Sequence, residues 1–541
     1  MKKFFITLFA ISLAFNALAL DVWNGSSEPW TNGSGTENDP YLIETAANLA
    51  YLAEKVNEGY QAEGMEVFAH EYFLMTDDFD LNNINWTSIG NVDYVNSALS
   101  GYYFAGHFDG WYHTISNLKI ETSESLTGLF AGLGGTQGPP GSDGGGSIQH
   151  LFVTNGNITS SGMGAGGIVG AIAGDAQVYQ CSFSGTISIS NNDQFCGAGG
   201  IVAAAVENSS ITECSFSGSI TATNNGGFMG VAGAGGIVGV AIDNANISAC
   251  YNTGTVTTSA TMMSVAAGIV AATLDDANVT ITNSYNVGTL NGSTKGGIFG
   301  MVSPINPFKG ETTINVANCY YLNTCGGTTG YGTSKTSDEM KTEQFKNQLD
   351  QSTHSFVMDN GTNNGYPILS LTDFVVFNAS DVTQNSAKLS ARVHQGNDTF
   401  SRVYFAYGKE NDADLQEVDV ATDGYVEAVL ENLEENTDYM YYLYLEYEDG
   451  IFTTSGAPRW FTTTLDAITE INNPEFHIYP NPTSDFIFIE NIEPQQVTIY
   501  SLDGKLIKTV ENTNIIDVRD LNEGIYLINI GGKTKKFVVG S

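Results

Sequence analysis

Positive charge is scarce in this chain. It has 541 residues, and its 20 lysines and arginines face 59 acidic residues, for a formal net charge of −39. So acidic a surface argues against nucleic-acid binding, which needs basic side chains to displace counterions. It permits divalent cations without requiring them, and it favours solubility in an extracellular medium. Past the N-terminal segment no stretch holds 18 consecutive apolar residues, so no membrane span is expected in the mature chain. Cysteine is rare, at six residues, and none follows the N-terminal segment closely enough for a lipid anchor. Familiar catalytic motifs are missing: there is no Gly-x-Ser-x-Gly elbow, no P-loop and no Cys-x-x-Cys. "HEYFL" begins at His70, but Leu74 stands where a zinc protease needs its second histidine. Between Glu121 and Val302 the one lysine or arginine is Lys295, which weakens any reading as a polysaccharide lyase cleft.

The first residues, MKKFFITLFAISLAFNALA, combine Lys2 and Lys3 with an apolar run and an Ala-x-Ala site ending at Ala19. This reads as a secretory signal peptide, residues 1–19, and is set aside from the fold. The rest is rich in Gly, Ser, Thr and Asn, the composition of an all-β chain full of turns.

An internal repeat dominates residues 20–371. A glycine before an isoleucine recurs at Gly167, Gly200, Gly236, Gly268 and Gly297, with a more distant copy at Gly128. A second marker keeps step: Leu151, Cys181, Cys214, Cys250, Ser284 and Cys319. Three residues before it stand Ile148, Val178, Ile211, Ile247, Ile281 and Val316. Each unit offers about three short β-rich runs and no room for a long helix. Such units predict an all-β, right-handed parallel β-helix, in which like positions of successive coils lie about 4.8 Å apart. No coil is stable alone, since its neighbours supply the ladder hydrogen bonds and cover its apolar faces. The glycine pairs are expected to supply corner angles, and the cysteines to fill an inward ladder as small apolar side chains. Cys319 and Cys325 are a possible disulfide in an oxidising compartment; Cys196 falls outside the column. Leu49, Leu52, Ala53 and Val56 form a helical stripe suited to cap one end. Thr336-x-x-Glu339 is a capping box opening a second helix, with Met340, Phe345 and Leu349 on one face.

These repeats, "GGIVG…C…SGTI", resemble the GLUG repeat of bacterial surface proteins. "DPYLIETAANLAYLAEKVNEG" (39–59) and "NNGYPILSL" (363–371) resemble the segments that flank such repeats. The resemblance implies a surface-exposed solenoid and no particular reaction.

Residues 375–464 carry alternating short runs, with Tyr439 following Asn436-Thr437-Asp438. They resemble a fibronectin type III module with Tyr439 as the tyrosine corner and Leu389 in the usual tryptophan position. Residues 474–541 contain "FHIYPNPTSDFIFIEN", "VTIYSLDGKLIKTV" and "LNEGIYLINI". Physically this is a small antiparallel sandwich with turns at Pro480-Asn481-Pro482 and Asp503-Gly504. Its phrases and their order resemble the C-terminal sorting domain of the type IX secretion system. That resemblance implies export across both membranes of a Bacteroidota-type cell, to the surface or beyond, and the type IX machinery as partner.

Two polar groupings could carry chemistry. His107, Asp109 and His113 lie close together in "GHFDGWYHTI", either as a metal or acid/base site or as a polar turn. Asp175, Glu207, Asp243 and Asp275 fall seven or eight residues after the repeat glycines. Stacked at one turn, they are a candidate Ca²⁺ site; the alternative is a hydrated corner rich in Asp and Asn. No other cofactor and no catalytic residue is expected. The whole reads as a monomeric, surface-displayed, non-catalytic binding or adhesion protein for a glycan or protein ligand. A carbohydrate-active β-helix enzyme is the alternative.

Overall fold

The computed structural model describes residues 20–540 except 38, 61, 63–65, 96–97, 135–144, 193–194, 227–229, 274–276, 303–311, 352, 410–411, 413–414, 449, 451, 455–456, 466–475, 491–495, 503, 512 and 532. Ala19, Asp275 and Asp503 therefore lie outside the described residues. Two compact units divide the chain: one runs to Asp373 and includes His394–Thr399, the other holds Phe374–Val393 and the residues from Phe400 on.

The first unit is a parallel β-solenoid of about seven turns. One coil shows the plan. Strands Phe195–Gly199, Val202–Val206, Ser209–Thr212 and Ser215–Asn224 follow one another, each pairing in parallel with its counterpart in the next coil. The coil thus has four sides, where three runs per unit were expected. The extra side is built from "FCGAG" and "VAGAG", whose glycines and alanines carry little β propensity. The columns align as the repeat requires. The Ile168 amide donates to Ile201 O at 3.0 Å, Ile201 to Ile237 at 3.1 Å, and Ile237 to Ile269 at 3.1 Å. All four side chains are fully buried.

The glycine pair works by close approach, not by corner angle. Gly199, Gly200, Gly235 and Gly236 are not among the left-handed residues. A Cβ on Gly200 would lie 2.0 Å from the Gly236 oxygen, and one on Gly199 would lie 1.9 Å from the Val202 oxygen. The backbone folds so tightly there that no side chain fits. The left-handed corner lies elsewhere, just before the cysteine column. It is held by Tyr112, His150, Gln180, Glu213, Ala249, Asn283 and Asn318, with φ between 48° and 64°.

The cysteines fill the interior as expected, and all six are buried free thiols. They also answer for the corner carbonyls. The thiols of Cys214 and Cys250 point at Thr212 O and Ser248 O, each at 3.2 Å, and Ser284 donates to Thr282 O at 2.7 Å. Serine and cysteine share the column because both can make this bond. Cys319 does the same toward Ala317 O, and the candidate bridge to Cys325 is not formed: both are free thiols. Cys196 lies inside the glycine–alanine side, in register with Ala232.

Both ends are covered. Helix α1, Ala46–Asn57, opens on a capping box between Thr45 and Asn48 and buries Leu49, Leu52, Ala53 and Val56. At the far end the loop around Gly327 and Tyr331 covers the last coil, with Thr329 donating to Phe299 O at 2.6 Å. Helices α2, Ser337–Met340, and α3, Glu343–Asp350, start at the predicted Thr336–Glu339 box and at Thr342. Their buried Met340, Phe345 and Leu349 do not cap the end. They pack on the flank, against Tyr285 and Tyr320.

In the second unit, two separate cores form. Strands Ser386–His394 and Gly424–Glu431, with Asp373–Val376, make one antiparallel sheet; Gln416–Val420, Phe400–Lys409 and Asp438–Tyr447 lead the other. Leu389, Phe405, Tyr441 and Leu443 are fully buried in this core. The Tyr439 hydroxyl accepts the Glu434 amide proton at 2.9 Å. The last strands form sheets of three and four around Ile487, Ile499, Ile516, Ile528 and Phe537. The turn at Pro480-Asn481-Pro482 separates His477–Tyr479 from Phe486–Glu490.

Candidate functional site

The solenoid flank around the left-handed corners is covered by the segment that follows the coils. After α3 the chain turns back along it as a strap. Ser355 donates to the Glu213 carboxylate at 2.8 Å, Gln180 to Thr372 O at 3.3 Å, and Asp373 meets His150. The strap thus runs against the direction of coil growth, from the Tyr320 coil to the His150 coil. Its hairpin, Phe356–Val357 with Ile368–Leu369, covers Tyr285, whose hydroxyl donates to Pro367 O.

Where the strap ends lies a sealed ion cluster. His150 is 1% exposed, with Nδ1 2.9 Å from Asp109 Oδ1 and Nε2 3.2 Å from Asp373 Oδ2. Tyr112 stacks on its ring at 4.6 Å, and His394 stacks on the other side of Tyr112. Burial by itself would lower the imidazolium's pKa, but Asp109 and Asp373 outweigh it and hold the group at about 9. Burial would raise Asp109, but the hydrogen bond from His150 prevails and keeps its carboxyl below the ordinary value. Next door, burial pushes Glu213 above its ordinary value despite hydrogen bonds from Gln180 and Ser355. Both imidazole nitrogens lie within ion-pair distance of carboxylates, Nε2 without hydrogen-bond alignment, and the ring is shut away from solvent. The cluster fastens the strap.

The His107–Asp109–His113 grouping is not assembled. His107 pairs with Ser147 and stacks on Tyr72, His113 meets Asp78, and Asp109 turns to His150. Asp109 was legible as a polar residue of interest; its partners, far off in sequence, were not. Of the four carboxylates proposed for Ca²⁺, Asp175, Glu207 and Asp243 are exposed at the same corner of successive coils. Beside them Asn244 donates to Asn208 at 2.8 Å. Asp275 lies outside the described residues, among which no group of three or more His, Cys, Asp or Glu could hold a metal ion.

The long side of the coil presents a different surface. Asn157, Thr186, Ser219 and Thr255 stand in one column; Thr159, Ser188, Thr221, Thr257 and Asn291 in the next; Ser190, Thr223 and Ser259 in a third. Rungs are about 4.8 Å apart and neighbouring columns about 6.6 Å. These side chains are half-buried to exposed, and none is charged.

The fold defines a parallel β-solenoid followed by antiparallel sheets. The tail then defines how the chain travels: residues 477–539 match the family described as the secretion system C-terminal sorting domain. The protein is accordingly exported to the cell surface or the extracellular space, and the type IX machinery recognises this tail. Among the described residues no helix is long and apolar enough to cross a membrane. A protein of Evansella cellulosilytica described as a Gly-rich membrane protein is 29% identical over 178 residues, covering 32% of this chain and 17% of that one. Halomucin of Haloquadratum walsbyi is 28% identical over 187 residues, covering 30% of this chain and 2% of its own length. The chain therefore spans less than a fifth of either curated relative. Among solved structures, the sensor domain of the anti-sigma factor RsgI4 of Pseudobacteroides cellulosolvens is 15% identical, covering 17% of this chain and 94% of its own, at a TM-score of 0.14. A computationally redesigned β-sandwich protein is 23% identical, covering 16% and 93%, also at 0.14.

Proposed function

We propose that this is a non-catalytic binding or adhesion protein, held at the cell surface after type IX export. Its GLUG-type solenoid does the binding, and a fibronectin type III-like module serves as spacer. The observation that carries the reading is the neutral hydroxyl and amide surface of the long side. It repeats one pattern over several coils, the arrangement that suits an extended ligand such as a glycan. The Tyr439 hydroxyl bond supports the spacer reading, because a tyrosine corner reaches back a few residues to the backbone. The sealed His150 cluster supports a role without catalysis, since its ring is shut away from solvent. The reading requires no cofactor.

The mature exported chain, probed on a glycan and host-matrix array, is expected to bind a defined subset of spots. Charge-bearing substitutions in the second column, Ser188→Lys with Thr221→Lys, are expected to reduce that binding. Incubation with polysaccharide panels is expected to leave them intact. Release of reducing or unsaturated ends would instead make the protein a carbohydrate-active enzyme.

A further inference from the structure

One outward column of the long side changes character along the solenoid. Just after the cysteine column stand Phe152, Ser182, Ser215, Tyr251, Tyr285 and Tyr320, in register from coil to coil. Tyr251 and Tyr285 stack with centroids 5.1 Å apart and planes 7° apart. Tyr251 also lines the cleft toward Ser215, whose side chain its hydroxyl meets. The stack ends at that point. Two serines replace rings over the three rungs from Tyr251 to Phe152, a gap of about 14 Å. The strap roofs the gap without filling it. What is left is a cleft of about 210 Å³, floored by Phe152, Ser182, Ser215 and Tyr251 and walled by Leu369 and Leu371. The Thr362 hydroxyl donates to Asp359 and the Asn397 amide to Leu369 O, which leaves the oxygen of each side chain to accept, and no lining residue is charged. The Ser182 hydroxyl has no protein partner among the described residues.

We infer that this cleft binds one neutral sugar ring, stacked on the uncovered face of Tyr251 and hydrogen-bonded by Ser182, Thr362 and Asn397. The inference rests on the display reading above and gives it a ligand class and a place. Three features select the ligand. The open aromatic face continues a stack whose next member must be a flat ring with an apolar side. The hydroxyl and amide lining suits a ring that carries hydroxyls around its edge. The lack of charge disfavours uronic acids, phosphates and zwitterions, whose desolvation nothing here would repay. Pockets for larger ligands run to about 300–1,000 Å³, so this one suits a single ring or a chain end.

The test uses the mature exported chain and saturation-transfer NMR with the methyl glycosides of glucose, galactose, mannose and N-acetylglucosamine. Transfer to the ring protons of at least one glycoside is expected. Ser215→Phe would carry the aromatic column into the cleft, so affinity should fall at least tenfold while the melting temperature holds. Ser182→Leu, which closes the other half of the gap, serves if Ser215→Phe does not fold. The inference is overturned if no glycoside shows transfer, if transfer survives in the filled variants, or if glucuronate, a nucleoside or free tryptophan binds in preference. A chain that binds array ligands but no glycoside overturns this inference and leaves the display reading standing; one that binds neither overturns both.

Discussion

Raising the pH should undo the His150 cluster before it harms the rest of the solenoid. His150 sits between Asp109 and Asp373, with Tyr112, Tyr179 and His394 around it and Glu213 one coil beyond Gln180. Its pKa is about 9 in the fold and about 6.5 in an unfolded chain. A group whose pKa is raised by folding lends its full stability below the unfolded value and withdraws it as pH rises through the folded one. The contribution is then about 3 kcal/mol at pH 5, somewhat less at pH 7 and almost nothing at pH 10. Other groups titrate in that range, so the measurement is a difference. Urea unfolding of the mature chain and of a His150→Gln variant, followed at pH 7, 8, 9 and 10, isolates the site. The wild type should lose about 2–3 kcal/mol more than the variant between pH 7 and pH 10. Parallel losses in the two proteins would refute the charged clasp, and a variant as stable as the wild type at pH 7 would refute it again.

Gly200→Ala should lower the melting temperature by more than an ordinary overpacking change of about 1–3 kcal/mol, because its Cβ would meet backbone oxygen at 2.0 Å. Thiol titration of the native protein should find no reactive cysteine, and denaturation without reductant should expose six; four would mean that Cys319 and Cys325 are bridged. Burial pushes the Cys196 and Cys319 thiols up to about 12, so the native silence should persist at pH 8. Removing residues 477–541 should abolish export and leave the chain in the periplasm, as immunoblots of cell fractions would reveal. Melting curves in EDTA and in millimolar Ca²⁺ should coincide, since Asp175, Glu207 and Asp243 are exposed at hydrated corners; a shift with Ca²⁺ would restore the cation site.

The columns of the solenoid were legible because stacking makes like follow like: Ile201 over Ile237, Cys214 over Cys250. The sorting tail was legible because its turns and strands follow one another in a fixed order. The fourth side was hidden, since Gly197, Ala198 and Gly199 look like a loop until parallel neighbours pair them. The purpose of the glycine pair was misread for a related reason. A left-handed corner and a close approach both demand glycine, and only coordinates tell them apart. The path of the strap could not be read at all. It depends on His150 and Glu213 meeting it from two of the left-handed corners, on Tyr285 meeting it from the strand after another, and on Asp373 arriving more than 200 residues after His150.

That strap also acts as a ruler. Each coil of the solenoid pairs with the next in the same register. Here an added coil between His150 and Tyr285 would lengthen the flank by about 4.8 Å while the return segment kept its length. Asp373 would then fall short of its imidazole and face a neighbouring corner instead. Copy number in this solenoid is thus fixed by a tether of set length, and gain or loss of a coil must be matched by a change in residues 350–373.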